Sequence, residues 1–132
     1  MNTDVLKNLQ LMRGYFQSGK TQTAEFRIEM LQSLKRVILE KEAAIFAALK
    51  TDLNKSPEEA MVTEMGLLLQ EINYLIRHLR RWMRPQPVRT NWLNFPSKSY
   101  LQPSPRGVVL IIGPWNFPLQ LVLIPLAGAI AA

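Results

Sequence analysis

Hydrophobic residues follow two different patterns along this chain of 132 residues. In residues 3–83 they recur at intervals of three and four positions, which is the spacing of an amphipathic helix. In residues 107–132 they stand together in runs interrupted by glycine and proline, with no charged residue between them. Eight of the nine prolines lie after position 84. Because proline disrupts helix interiors, the pattern predicts a helical segment over residues 1–84 and a different organisation after it.

The first part of the helical segment is predicted to form three helices. The first covers about residues 3–18 and ends before Gly19, a residue suited to a helix stop. Its apolar face consists of Val5, Leu9, Met12 and Phe16. The second begins after Thr23, which fits a helix N-cap, and the third covers about residues 41–53. The sequence leaves open whether a break near Glu40 separates the second helix from the third.

The fourth helix has the clearest start, seam and end in the sequence. Ser56 fits its N-cap, Pro57 its first turn, and Glu59 the third position of a capping box. Seven apolar residues then alternate by four and three positions and form one seam: Met61, Met65, Leu68, Ile72, Leu75, Leu79 and Trp82. Pro85 ends the helix. The seam is compatible with a coiled coil, but we favour a long helix within a helical layer.

Beyond the helices, the pattern predicts an extended connector followed by a strand and a helix. Five prolines are spaced through residues 85–106, where residues 92–95 and 97–101 are candidate edge strands. The β-branched run at residues 107–113, bounded by glycines, predicts a fully buried strand of a parallel sheet. Residues 119–132 predict a helix that is buried on all sides. The last two elements predict an α/β fold built on a doubly wound sheet.

Composition narrows the chemistry that is available to the chain. The absence of cysteine excludes a cysteine nucleophile, disulfides and thiolate metal sites within these residues. The single histidine, His78, has no second histidine or carboxylate in phase with it, so no metal site is expected. No apolar run characteristic of a signal peptide follows the N-terminus, and the expected location is the cytoplasm.

The formal net charge of +6 is unevenly distributed, because Glu71 is the last acidic residue. Seven basic side chains follow it: Arg77, Arg80, Arg81, Arg84, Arg89, Lys98 and Arg106. This asymmetry is compatible with a nucleic-acid or anionic membrane partner, or with balancing acids in another domain or subunit. We favour the second explanation, since no aromatic interleaving or nucleic-acid motif accompanies the bases.

The apolar end of the chain, residues 107–132, is open to three interpretations. It is long enough to span a membrane, but Pro114, Pro118 and Pro125 would leave carbonyl groups without partners in lipid. A purely structural strand–turn–helix unit would use Asn116 as a turn residue or helix N-cap. Alternatively the turn is a binding site, since ligands of open α/β sheets lie beyond the carboxyl ends of the strands. The residues alone do not decide between the last two interpretations.

Two parts of the chain resemble the aldehyde dehydrogenase superfamily. The stretch GVVLIIGPWNFPLQLVLIPLAGAIAA, residues 107–132, is similar to the family's strand, Pro-Trp-Asn-Phe/Tyr-Pro turn and buried helix. The stretches ALKTDLNKSPEEA and EMGLLLQEINYLIRHLRRWMRP are similar to the N-terminal helices of its class 3, or fatty-aldehyde-type, branch. The resemblance implies an aldehyde-dehydrogenase-like fold, a small-molecule aldehyde as substrate, NAD or NADP as cofactor, and a homo-oligomer.

The resemblance also implies roles for individual residues. Asn116 matches the oxyanion-hole asparagine, whose amide faces a pocket and stabilises the tetrahedral adduct of an enzyme thiolate with the aldehyde. The positions that match the nicotinamide end of the cofactor site are Ile112, Gly113, Pro114 and Trp115. Phe117 matches a wall of the aldehyde tunnel. Leu121 and Ile124 either continue that wall or belong to the core, and we favour the core.

Several groups that the family needs have no match here: the cysteine nucleophile, the glutamate base, the ribose-binding lysine and glutamate, and the glycine-rich turn. We therefore expect the N-terminal part of a longer enzyme, inactive alone and exposing apolar surface. Its expected organisation is a helical segment (1–84), an extended crossover that contributes to oligomerisation (85–106) and the start of the NAD(P)-binding domain (107–132).

Two alternatives to an enzyme fragment stay open. One is a basic helical protein with a C-terminal membrane tail, and the other is a helical interaction module that uses the seam of the fourth helix. Aldehyde chain length, the choice of NAD or NADP, and a dimeric or tetrameric state are not determined by these residues.

Overall fold

The computed structural model of the chain describes residues 3–132, which form six α-helices and a small sheet. In chain order the helices are α1 (Thr3–Gln17), α2 (Ala24–Glu40), α3 (Glu42–Leu53), α4 (Pro57–Ala60), α5 (Gly66–Trp82) and α6 (Gln120–Ala131). A π-helical segment, Met61–Met65, joins α4 to α5, and the strands are β1 (Gln86–Val88) and β2 (Ser99–Leu101). Short 3-10 turns are formed by Lys20–Gln22 and Trp92–Asn94.

The core lies between α5 and the two helices that pack against it, α2 and α6. Its buried residues are apolar side chains from the π-helical segment and these three helices: Leu31, Ile38, Met65, Leu68, Ile72, Leu75, Leu79, Ala127 and Ala131. The predicted seam of the fourth helix is therefore confirmed from Met65 to Leu79, while Met61 and Trp82 are half-buried at its edges. Packing within a helical layer accounts for the seam, as predicted.

The predicted ends of the first helices agree with the structure. Gly19 adopts a left-handed conformation after α1, with φ of 76°, a conformation that glycine adopts without steric cost. The Thr23 hydroxyl oxygen accepts a hydrogen bond from the Phe26 amide at 3.3 Å and so caps α2. Lys41 separates α2 from α3, which establishes the break that the sequence left open. The apolar face predicted for α1 is largely exposed, with Met12 54% accessible.

The fourth helix begins as predicted but is not continuous. The Ser56 hydroxyl oxygen accepts a hydrogen bond from the Glu59 amide at 3.1 Å, and Pro57 occupies the first turn. After α4 the chain widens into the π-helical segment, at whose end the Gly66 amide donates to the Met61 carbonyl. A Cβ atom on Gly66 would lie 2.8 Å from that oxygen, so glycine permits the close approach. Hydrophobic periodicity did not predict this widening.

The connector forms an antiparallel pair of strands, β1 and β2. The edge strand predicted within residues 97–101 is confirmed, since β2 lies there. The strand predicted at residues 92–95 is wrong, because a 3-10 turn forms instead. There the Asn91 side-chain oxygen accepts a hydrogen bond from the Leu93 amide at 3.1 Å, an arrangement that favours turns over strands. Strand β1, which contains Pro87, was not predicted.

The apolar stretch at residues 107–113 differs most from its prediction, because it forms no strand in the part of the chain that the structure describes. Leu110 and Ile112 are each 84% exposed, so the expected full burial is wrong for this chain. A hydrophobic run is buried as a strand only where neighbouring strands pair with it, and the one sheet within residues 3–132 consists of β1 and β2.

Helix α6 is covered on one side instead of being buried on all sides, which corrects the second prediction for the apolar end. Ala127 and Ala131 are buried, in a helix that packs against α5 and α2. Leu121 is 36% exposed. A helix that is apolar on every face is predicted to be buried on every face. In residues 3–132, however, only one face of α6 packs against other helices.

Candidate functional site

The turn that carries Asn116 leads directly into α6. The Phe117 carbonyl accepts a hydrogen bond from the Leu121 amide at 3.0 Å, which begins the first helical turn. Pro114 and Pro118 flank the turn and fix two of its backbone torsions. Asn116 is exposed. The N-cap position of α6 is occupied by Leu119, whose side chain cannot accept a hydrogen bond from the helix amides. The interpretation of Asn116 as the N-cap of this helix is therefore wrong.

A buried lysine contacts this turn from the loop between α3 and α4. Lys55 is 7% exposed, and its ammonium group donates to the Asn116 carbonyl oxygen at 3.3 Å. The same ammonium group lies 4.0 Å from the centroid of the Phe117 ring. A cation over an aromatic face is attracted by the ring's quadrupole, more strongly where water is excluded. Lys55 thus holds two successive residues of the turn.

The partner of this lysine is a fully buried carboxylate in the π-helical segment. Glu64 Oε1 accepts from Lys55 Nζ at 2.5 Å, and the two side chains are 0% and 8% exposed, respectively. Glu64 Oε2 accepts from the Leu119 amide at 2.9 Å and from the Gln120 amide at 3.4 Å. These are amides of the first turn of α6, whose macrodipole favours a negative charge at this end. Glu64 therefore does what an N-cap side chain ordinarily does.

The opposite end of α6 also meets a buried ion. Arg27 Nη1 donates to the Ala131 carbonyl at 3.1 Å, and Arg27 Nε donates to the Thr21 carbonyl at 2.9 Å. Burial lowers the pKa of Arg27, because desolvation disfavours the charged form. The helix that follows the Asn116 turn is consequently fixed by a carboxylate at its N-terminus and by a guanidinium at its C-terminus.

The structure brings the residues predicted from the sequence to one end of α6, though not into a closed pocket. Ile112 and Trp115 are 84% and 89% exposed. Gly113 lies so close to α6 that a Cβ atom would be 2.3 Å from Val122 Cγ2. Ile124 packs against the core, in line with the interpretation favoured above, whereas Leu121 is exposed and does not belong to the core. Since Asn116 is exposed, residues 3–132 do not by themselves enclose its amide.

Sequence reasoning missed Lys55 and Glu64, although one signal for them exists. Glu64 is a carboxylate beside Met65, in the stretch where the apolar seam of the fourth helix begins. A charge in this position must be paired if it is buried, but the position alone is a weak signal, because Glu71 lies beside Ile72 in the same seam and is not buried. The partner itself was not predictable, because the periodicity placed Lys55 in a loop.

Within residues 3–132 the structure contains neither a metal-binding cluster nor a helix able to span a membrane. Among residues 3–132 no cluster of three or more histidine or carboxylate side chains is arranged to hold a metal ion. None of the helices described is both long enough and apolar enough to cross a membrane.

Comparison with known proteins defines the class of protein to which this arrangement belongs. Residues 1–132 match the aldehyde dehydrogenase family, and the chain belongs to that family. Among curated relatives, it is 43% identical over 96% of its length to aldehyde dehydrogenase family 3 member B3 of Mus musculus. It is 41% identical, also over 96% of its length, to family 3 member A2 of Macaca fascicularis.

A solved structure gives the same result for the fold. The structure described as the substrate-bound state of Staphylococcus aureus AldH superimposes with a TM-score of 0.94 and 40% sequence identity. That match covers 99% of this chain and 28% of the other. The chain likewise spans 26% of the length of the two curated relatives. It therefore shares the fold of about a quarter of such an enzyme.

Proposed function

We propose that this chain is the N-terminal part of an NAD(P)-dependent enzyme that oxidises an aldehyde to a carboxylic acid. The observation that carries the proposal is the family match over residues 1–132, which includes the Pro-Trp-Asn-Phe-Pro turn. In this proposal residues 1–84 form the N-terminal helical segment, and residues 85–106 form an extended crossover that contributes to the interface between subunits. Residues 107–132 form the start of the NAD(P)-binding domain. Homo-oligomeric assembly and a cytoplasmic location belong to the same proposal.

In the reaction that we propose, Asn116 stabilises charge on the substrate oxygen. A thiolate from outside this chain adds to the aldehyde carbon, and the carbonyl oxygen becomes an oxyanion. The Asn116 side-chain amide donates a hydrogen bond to that oxygen. Because the amide is a neutral donor, it stabilises the oxyanion without a proton transfer. Hydride from that carbon would pass to bound NAD(P)+ and leave a thioester, which water would cleave to the carboxylic acid and the free thiol.

The exposed residues before Asn116 fit the ring end of a nicotinamide cofactor. Ile112 and Trp115 present apolar side chains on a stretch without charged residues, which suits an uncharged ring. The absence of a Cβ atom at Gly113 lets this stretch lie directly against α6. When bound, NAD(P) supplies the hydride acceptor. Lys55 is buried against Glu64, so we expect the cofactor's pyrophosphate to be held by residues outside this chain.

Phe117 is our candidate for a wall of the aldehyde site. It is partly buried, and its ring is covered on one side by Lys55. The exposed part of its side chain would contact a substrate that approaches Asn116. Leu121, 36% exposed and one turn further along α6, is available to continue this wall. Ile124 packs against the core and contributes to the wall less directly, by supporting α6.

The test uses the full-length protein encoded by the reading frame that contains this chain. NAD(P)H formation is followed at several aldehyde chain lengths for the wild type, Asn116→Ala and the control Asn94→Ala, which changes an exposed asparagine. We expect Asn116→Ala to lower kcat about 100-fold or more, as the loss of one oxyanion donor does elsewhere. Absence of aldehyde oxidation by the wild type, or equal activity of the two variants, would contradict the proposal.

A further inference from the structure

We propose that Lys55 and Glu64 are positioning residues that hold Asn116 in place for oxyanion binding, an inference that rests on the proposed function. Lys55 donates both to the Asn116 carbonyl, at 3.3 Å, and to Glu64, at 2.5 Å. Glu64 accepts the amides of Leu119 and Gln120 at 2.9 and 3.4 Å. The pair thus fixes the residue that carries the proposed donor and the helix start that follows it.

The burial of this pair is difficult to explain by stability alone. Its side chains are 8% and 0% exposed, and an apolar pair of similar volume is often as stable as a buried ion pair or more so. An apolar pair would fill the space but would make no hydrogen bond to Asn116 or to the start of α6. The ion pair therefore makes directional hydrogen bonds that an apolar pair cannot make, and these bonds fix the position of the turn relative to α6.

The backbone around Glu64 supports the same interpretation. Glu64 lies in the π-helical segment, a feature that occurs frequently at functional sites. The segment buries Glu64 and Met65, which are successive residues, so that a carboxylate reaches α6 while the apolar seam is retained. Gly66 makes this widening possible, because a Cβ atom there would lie 2.8 Å from the Met61 carbonyl oxygen.

Catalysis is sensitive to small displacements of a catalytic group. A displacement of about 1 Å in a catalytic group costs on the order of 100-fold in rate. Lys55 contacts the Asn116 carbonyl, and Glu64 contacts the amides of residues 119 and 120, so loss of the pair alters where the Asn116 side-chain amide points. We therefore expect the loss to appear in kcat with little change in KM.

The experiment combines variants in the full-length protein. Lys55→Met and Glu64→Gln are each made alone and together with Asn116→Ala. The matched control is Glu25→Gln, which removes the carboxylate of the exposed Arg80–Glu25 pair, also 2.5 Å apart. Lys55→Arg keeps a cationic donor and is included as the conservative variant. The readouts are kcat, KM, the thermal midpoint, and hydrogen exchange of the peptide that contains the Leu119 and Gln120 amides.

We expect Lys55→Met and Glu64→Gln to lower kcat at least tenfold, to leave KM within threefold, and to speed exchange at residues 119–120. In the Asn116→Ala background their effect on kcat should fall to twofold or less, and Lys55→Arg should regain part of the rate. Glu25→Gln should match the wild type in kcat, in KM and in exchange at residues 119–120. Losses that multiply with that of Asn116→Ala, or that follow the folded fraction, would overturn the inference.

Two outcomes separate this inference from the proposed function. If the wild type oxidises aldehydes and the Lys55 and Glu64 variants behave like Glu25→Gln, the inference fails while the proposed function stands. If the wild type oxidises no aldehyde, the function fails, and exchange at residues 119–120 still decides whether Glu64 holds the helix start. Should Lys55→Met not fold, Glu64→Gln is judged by the same criteria, and Lys55→Arg should have a kcat between those of Glu64→Gln and the wild type.

Discussion

The Arg27 guanidinium donates to the Ala131 carbonyl at 3.1 Å and joins residues that are 104 positions apart in the chain. A cation near a helix C-terminus interacts favourably with the helix dipole, and the Arg27 guanidinium donates to a carbonyl in the last described turn of α6. Arg27 is 6% exposed, so water does not replace this contact. Together with Glu64 at the other end, it explains how the chain holds an apolar helix in a fixed register against α5.

The first prediction concerns the stability that this contact contributes. Arg27→Leu should lower the free energy of unfolding by about 2 kcal/mol, because it removes a charged donor and leaves two carbonyls unpaired. Urea titration of the chain measures the change. Arg36→Leu on the same helix breaks an exposed pair with Glu40 and should cost about 0.5 kcal/mol or less. If both variants lose the same free energy of unfolding, the buried contact of Arg27 contributes no more to stability than the exposed pair does.

Hydrophobic periodicity predicted the helical half of the chain well, because helix formation and capping depend on residues that are close together in the sequence. The seam from Met65 to Leu79 needs a spacing of three and four and one apolar layer to pack against, and this chain supplies both. The caps at Thr23 and Ser56 are likewise decided by neighbours three residues away. Each of these features depends on contacts that the nearby sequence itself determines.

The features that failed depend on distant partners. The run at residues 107–113 has the composition of a buried strand, but burial needs strands beside it, and the described chain pairs only β1 with β2. The ion pair of Lys55 and Glu64 was missed for a related reason. Glu64 of this pair accepts hydrogen bonds from the amides of residues 119 and 120, which are more than 50 positions away in the sequence. The residues next to Asn116 in the sequence identified it as a candidate. Lys55 and Glu64 lie far from it in the sequence, and only the fold brings them to its turn.

The second prediction concerns the π-helical segment. Alanine in place of an interior helical glycine ordinarily gains up to about 1 kcal/mol. Gly128→Ala in α6 should show that gain, since a Cβ atom there meets nothing within 4 Å. Gly66→Ala should instead cost about 1–3 kcal/mol, because the added Cβ atom would lie 2.8 Å from the Met61 carbonyl oxygen. Chemical denaturation of both variants tests the opposite signs, and a stabilising Gly66→Ala would contradict the assignment of the segment.

The third prediction concerns stability at acid pH. The pKa of Glu25 is lowered from its ordinary value of 4.5 by a backbone hydrogen bond at the start of α2 and then by the Arg80 guanidinium. A carboxyl group whose pKa is lower in the folded state stabilises the protein above its unfolded pKa, and this contribution is lost as pH falls through the folded pKa. Glu25→Gln should therefore lower the thermal midpoint at pH 7 and have no effect near pH 2. Melting curves across that range, with Glu29→Gln as the control on the same helix, measure the difference.

The last prediction concerns the exposed apolar stretch before Asn116. Leu110 and Ile112 are each 84% exposed, and contiguous apolar surface of this kind promotes association. We expect the chain alone to self-associate. The double variant Leu110→Lys with Ile112→Lys should weaken its association constant about tenfold or more, since full burial of one such side chain is worth about 1.5–3 kcal/mol and a tenfold change corresponds to about 1.4 kcal/mol. Val62→Lys is the matched control, because Val62 is 71% exposed on the helical segment. Sedimentation velocity over a range of concentrations distinguishes the variants. If Val62→Lys weakens association as much as the double variant does, the contact lies on the helices and not on the stretch that leads to Asn116.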